Sequence, residues 1–104
     1  MEIFNVKNSD TNREILTENN RFKTIYFKFE EGKGLPNHSH NGFATIQIIS
    51  GKVSIEFKDG KKFELENGDF LPFDARIEHN VIAKEVSKVL VTIEKTLVIK
   101  KLNK

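Results

Sequence analysis

From Arg21 onward, apolar and polar side chains alternate nearly one for one, and short turn-forming pairs interrupt the alternation. On an extended strand, successive side chains point to opposite faces, so a period of two buries one face and wets the other. The same pattern cannot supply the apolar stripe of a helix, which recurs about every 3.6 residues. In Lys23 to Glu30, the residues Ile25, Phe27 and Phe29 share one face, and Thr24, Tyr26 and Lys28 share the other. Val53, Ile55 and Phe57 repeat the pattern against Ser54, Glu56 and Lys58, and Phe63 and Leu65 resume it after Asp59-Gly60. That dipeptide is a signal for a two-residue hairpin, in which both turn positions take positive φ. Ser50-Gly51 and Asn67-Gly68 mark further turns.

Helical signal is confined to Ser9 to Asn20, where Ser9 or Asp10 can cap a turn ahead of Ile15 and Leu16; the segment reads as loop or one short turn. Lys88 to Lys101 is β-branched and apolar over a length unusual for one strand. It predicts either a bend at Glu94 to Thr96 or an extension that pairs with a partner subunit. The expected fold is all-β: a double sheet of about eight to ten short antiparallel strands, of jelly-roll size. A chain of 104 residues with 38% hydrophobic content holds one core, so a single domain is expected over 1–104, with 1–20 an N-terminal arm and 21–100 the barrel.

Composition removes several function classes. The 17 Lys and Arg against 15 Asp and Glu leave a net charge of +2, interleaved along the strands, with only Lys100, Lys101 and Lys104 locally basic. Nucleic acid is therefore not an expected partner, because the phenylalanines alternate with charged residues as core positions do rather than forming a stacking platform. No apolar run of about 18 residues is available to span a bilayer, and the start MEIFNVKNSD lacks a basic-then-apolar leader, which makes the cytoplasm the expected location. The absence of cysteine excludes disulfides, a thiolate nucleophile and thiolate metal ligands.

Any metal must then be held by nitrogen or oxygen. His38 and His40 lie two apart, which on a strand puts both imidazoles on one face, and His79 can join them from a neighbouring strand. Three neutral imidazoles suit a divalent transition metal, Fe, Ni, Zn or Cu, rather than Mg or Ca.

The order of these residues resembles the cupin superfamily. Its first motif, a glycine followed by His-x-His, a glutamate and a second glycine, is matched at Gly34 (Gly32 is the alternative), His38, His40 and Gly51. Where the family places its glutamate ligand, seven residues before that last glycine, this chain has Ala44. The second motif is matched at Gly68-Asp69 and at His79, eleven residues after Gly68, but Asp74 and Arg76 stand where the family has Pro and Gly. The resemblance implies a double-stranded β-helix and a metal held by His38, His40 and His79. It does not imply a reaction, because the family hosts dioxygenases, isomerases, epimerases, storage proteins and sensors. Three histidines without a carboxylate leave the ion its full charge, favouring an anionic ligand and disfavouring Mn and Mg.

The remaining candidates are mostly apolar. Phe43, Ala44, Ile46, Ile48 and Phe57 are expected to line or fill a pocket, together with Phe70, Phe73, Ile77 and Val81. The ligand should then be a small, mostly apolar molecule with one metal-binding group. Arg76 and Glu78, beside His79, are candidates for ligand contact, while Tyr26 and Gln47 fall on the outward parity. Two function classes follow: a metal-dependent enzyme, with an oxygenase foremost, or a non-enzymatic ligand-binding or sensor module with a degenerate metal site. A homodimer is expected because sheet edges and outer residues such as Ile49 and Leu90 need cover, with Met1 to Val6 and the last strand as contact segments.

Overall fold

The structure, a computed structural model, describes residues 2–95. Nine strands form: β1 (Arg13–Glu18), β2 (Phe22–Phe29), β3 (Gly34–His38), β4 (Phe43–Ser50), β5 (Lys52–Phe57), β6 (Lys62–Glu66), β7 (Phe70–Asp74), β8 (His79–Ala83) and β9 (Ser87–Glu94). They assemble a five-stranded sheet in the order β1-β2-β9-β4-β7 and a four-stranded sheet in the order β3-β8-β5-β6. All the pairings are antiparallel. There is no helix among the described residues.

Parity decides what lies between the sheets. Ile25 and Phe27 of β2 stand opposite Val91 and Val89 of β9, which in turn stand opposite Ile46 and Ile48 of β4. The other sheet contributes Val53 and Ile55 of β5 beside Ala83 and Val81 of β8. These residues form one buried cluster, within which Ile48, Val53, Ile55 and Val89 are fully inaccessible. Each such side chain stabilises the fold by about 1.5–3 kcal/mol through burial alone.

Two features depart from the sequence expectations. The segment from Ser9 to Asn20, read as loop or a short turn, contains β1, which adds to the sheet edge beside β2 through the pairs Arg13 with Phe27 and Ile15 with Ile25. Asp59-Gly60 does not form a two-residue turn, because only Gly60 takes positive φ (97°). Instead the Gly60 amide donates to the Phe57 carbonyl and the Phe57 amide to the Lys61 carbonyl, so the hairpin closes through a wider loop whose left-handed residue is the glycine. The last described strand stops at Glu94, and the remainder of the long C-terminal run lies outside the described residues.

The N-terminal arm covers the outer face of the five-stranded sheet. Phe4 packs on Tyr26 with ring centroids 5.2 Å apart, and the Lys88 ammonium donates to the carbonyls of Val6 and Lys7. Tyr26, on the outward parity, is fully buried by this arm and donates its hydroxyl to the Ser9 carbonyl. Gly51 shows why its position excludes other residues. Its φ is +99°, and an added Cβ would collide with the Ser87 hydroxyl and lie 2.6 Å from the Val86 carbonyl oxygen.

Candidate functional site

A cavity of about 400 Å³ opens between the two sheets, and His38, His40 and His79 all line it. A bulge brings the first of these to the inner face. Leu35 and His38 of β3 face Val81 and His79 of β8, so three steps on one strand match two on the other. Without the extra residue, His38 would point away from the face that Leu35 occupies, because a one-residue slip reverses every side chain. Pro36 sits within this irregularity, where a missing amide costs no ladder bond. His79 needs no such device, since it precedes Val81 by two on β8 and pairs with Phe57 of β5 on its other side.

His38 and His79 are oriented alike. Each donates its Nδ1–H to the carbonyl two residues earlier, Pro36 and Ile77 respectively, at 2.7 Å. A carbonyl can only accept, so the proton sits on Nδ1 in both rings and the lone pair is left on Nε2. Holding one ring nitrogen by a backbone carbonyl is the arrangement that fixes tautomer and direction in metal-ligating histidines. The two ring centroids are 4.4 Å apart. Phe57 and Phe73 back His79 at 5.5 and 5.0 Å, and His79 is only 3% exposed. Burial pushes its pKa below the usual 6.5, and the positive charge that His38 and His40 can carry adds to this, against a raising contribution from the Ile77 carbonyl.

His40 is set differently. It lies beyond the end of β3, in the loop leading to β4, and its Nε2–H donates to the Glu94 carbonyl of β9 at 2.8 Å. The Glu94 carboxylate also accepts the Phe43 amide at 2.9 Å, so one residue of β9 tethers both ends of the loop. The loop is further tied to the turn before β8: the His40 amide donates to the Ala75 carbonyl, and the Ala75 amide to the Gly42 carbonyl. As placed, no three His, Asp or Glu side chains among the described residues converge on a common ion. His38 and His79 thus leave Nε2 free, whereas His40 engages Nε2 with the Glu94 carbonyl, and its ring would have to turn to share an ion with the other two.

The turn before His79 uses Asp74 and Arg76 in place of a Pro-x-Gly turn. Asp74 accepts the Arg76 amide at 3.0 Å and grips its guanidinium twice, at 2.8 and 2.7 Å. These bonds hold the Asp74 carboxyl down to about 2. Arg76 also lies over the Phe43 ring at 5.1 Å, so it is engaged outside the cavity and does not line it. Glu78 faces Lys58 at 3.8 Å on the outer side and does not line it either.

Of the apolar residues expected around the pocket, Ala44, Ile46, Phe73 and Val81 line it. Phe43 and Phe70 do not, being 56% and 58% exposed, because they share the outward parity of Thr45 on β4 and Pro72 on β7. Ile48 and Phe57 are on the inner face but are packed into the core. Ile77 sits in the β7–β8 turn and packs against the edge of that core. Sequence reading missed Arg13, which lines the cavity from β1, and Glu94. The alternation Arg13-x-Ile15 was the available signal for Arg13.

The comparisons agree with this architecture. Among solved structures, an RmlC-like cupin from Desulfovibrio desulfuricans is 28% identical, with a TM-score of 0.82 over 93% of this chain and 99% of that one. A cupin superfamily protein from Desulfitobacterium hafniense is 24% identical, with a TM-score of 0.76 over 81% and 76% of the two chains. KdgF from a Halomonas species is 23% identical, with a TM-score of 0.71 over 82% and 80%. The last two similarities concern the fold alone. No curated protein matches significantly. The family model for the cupin domain matches residues 25–93, most of the chain and both histidine motifs, so the chain belongs to the cupin domain family.

Proposed function

We propose that the cavity holds one divalent transition-metal ion through His38, His40 and His79 and binds a small, mostly apolar molecule beside it. The observation that carries this reading is the matched orientation of His38 and His79, each with Nδ1–H on a carbonyl and Nε2 free. A structural histidine buried for packing has no need of a second imidazole held the same way 4.4 Å from it. Bound there, Fe, Ni, Zn or Cu would act as a Lewis acid without a charge-compensating carboxylate, since Ala44 offers none. The chain's own residues do the rest. Ile25, Phe27, Ile46, Phe73 and Val91 exclude water and grip an apolar body, and the β3 bulge and the Glu94 tether position the histidines.

An oxygenase would use such a site with iron, whereas a ligand-binding or sensor module would use it without turnover. A homodimer is part of the same proposal, because Phe43 and Phe70 leave apolar surface near the β7 edge of the sheet; light scattering that gives a monomer at micromolar concentration contradicts it. A cytoplasmic location also belongs to the proposal. No helix is long and apolar enough to cross a membrane among the described residues.

Elemental analysis of protein purified without chelator tests the metal reading. One Fe, Ni, Zn or Cu per chain, lost in His38→Ala and His79→Ala, is the expected result. No ion after reconstitution, or an ion retained in both variants, overturns it. Oxygen uptake by the loaded protein in the presence of candidate ligands separates the enzyme from the binding module.

A further inference from the structure

We propose that Arg13 anchors the carboxylate of a small apolar acid bound in the histidine-lined cavity, an assignment that rests on reading this cavity as a ligand site. Among the described residues lining it, Arg13 is the only side chain of fixed charge, and no Asp or Glu is present there to neutralise it. The strand register explains how it arrives. Arg13 of β1 pairs with Phe27 of β2, an inner-face residue, so the arginine is presented on the cavity side of the sheet edge. Its guanidinium lies over the Phe27 ring, 5.9 Å from the centroid. Stacking of this kind restricts the side chain while leaving its N–H donors free for a planar, two-oxygen partner.

The contrast with Arg76 sharpens the assignment. That guanidinium is already held by both oxygens of Asp74. Among the described residues, the ion pairs join Lys58 with Glu78, Lys62 with Glu64, Arg76 with Asp74 and Lys95 with Glu18, and none uses Arg13. A cation without an ion-pair partner at the exposed rim of a mostly apolar cavity selects an anion attached to an apolar body. The guanidinium fork matches a carboxylate with two parallel hydrogen bonds. The apolar walls Ile25, Ile46, Val91 and Ile93 offer no donors, so the body attached to the carboxylate is apolar where it meets them.

The test compares 4-methylpentanoate with its uncharged isostere 4-methylpentanamide by calorimetric titration. Wild-type, Arg13→Met and Arg76→Met proteins are each titrated metal-free and Zn-loaded. In the metal-free wild type, the acid is expected to bind about tenfold or more tightly than the amide, a charge-assisted preference that weakens with added salt. Arg13→Met should lose that preference while keeping the amide affinity, and Arg76→Met should keep both. The Zn-loaded series reports how much the ion adds, independently of Arg13. Equal binding of acid and amide to wild type, survival of the preference in Arg13→Met, or its loss in Arg76→Met overturns the Arg13 assignment and leaves the cavity a ligand site. Failure of both probes to bind any form overturns the apolar ligand cavity itself, and the assignment with it.

Discussion

Replacing each histidine by alanine should not weaken metal binding equally, and the structure sets the order. His38 and His79 leave Nε2 free for an ion, with Nδ1–H on the carbonyls of Pro36 and Ile77. His40 keeps Nδ1 free, but the three rings do not converge as placed, so its ring must turn to join the other two, and turning breaks the 2.8 Å bond from its Nε2–H to the Glu94 carbonyl. A hydrogen bond of this type is worth about 0.5–1.5 kcal/mol net, which corresponds to about a 2- to 13-fold factor in affinity. That amount is subtracted from what His40 contributes, because the ion gains a ligand while the protein loses a bond. The His40→Ala variant should therefore bind metal about 2- to 13-fold more tightly than His38→Ala or His79→Ala. Chelator-competition titrations with Zn at neutral pH read the three affinities, and thermal melts of the metal-free proteins check that each variant folds. If His40→Ala proves as damaging as His79→Ala, or more so, the His40 to Glu94 bond does not oppose binding and the reasoning fails.

Other expectations concern stability and metal choice. The folded state holds the His79 pKa below its unfolded 6.5, so above that pH the group costs nothing, and as pH falls below it the unfolded chain gains a proton that the folded one resists. Urea unfolding of the metal-free protein should show stability dropping between about pH 7 and about pH 5, with a shallower drop in His79→Gln; equal slopes would refute the assignment. Gly51→Ala places a Cβ against Ser87 and Val86 at φ +99°. It should cost at least about 2 kcal/mol, or about 8–16 °C in Tm, and a melt within a degree or two of wild type contradicts it. Ala44→Glu puts a carboxylate at a cavity position only 5% exposed. It should lower the metal-free melting temperature and raise Mn affinity relative to Zn, because it supplies the oxygen ligand the native site lacks; an unchanged ratio of the two affinities would count against that geometry.

How much of this was legible in the sequence differs by residue. The strands built on Ile25, Phe27 and Phe29 and on Val53, Ile55 and Phe57 announced themselves, because each buries one face against the opposite sheet. β1 did not, since an edge strand with only Leu16 half-buried carries almost no hydrophobic contrast. Asp59-Gly60 signalled a turn but not its width, as the loop uses positive φ at the glycine alone. At the site, the motif spacing brought His38, His40 and His79 to one cavity. It could not reveal that His40 is held by a backbone carbonyl 54 residues away, because any residue type presents the same carbonyl. Arg76 was a candidate ligand contact, with a pairing to Glu78 as the alternative, and is held instead by Asp74 two residues earlier. Phe43 and Phe70 were misplaced by composition where parity would have put them outside, and Arg13 was missed because its strand was not recognised.

X-ray absorption spectroscopy on protein loaded with one equivalent of Zn or Ni tests the central claim most directly, because multiple scattering from imidazole counts the histidines on the ion. Three imidazoles in wild type, falling to two in His79→Ala and in His40→Ala, is the predicted result. A shell of oxygen ligands without imidazole scattering, or a histidine count unchanged by both substitutions, would contradict a metal centre built from His38, His40 and His79.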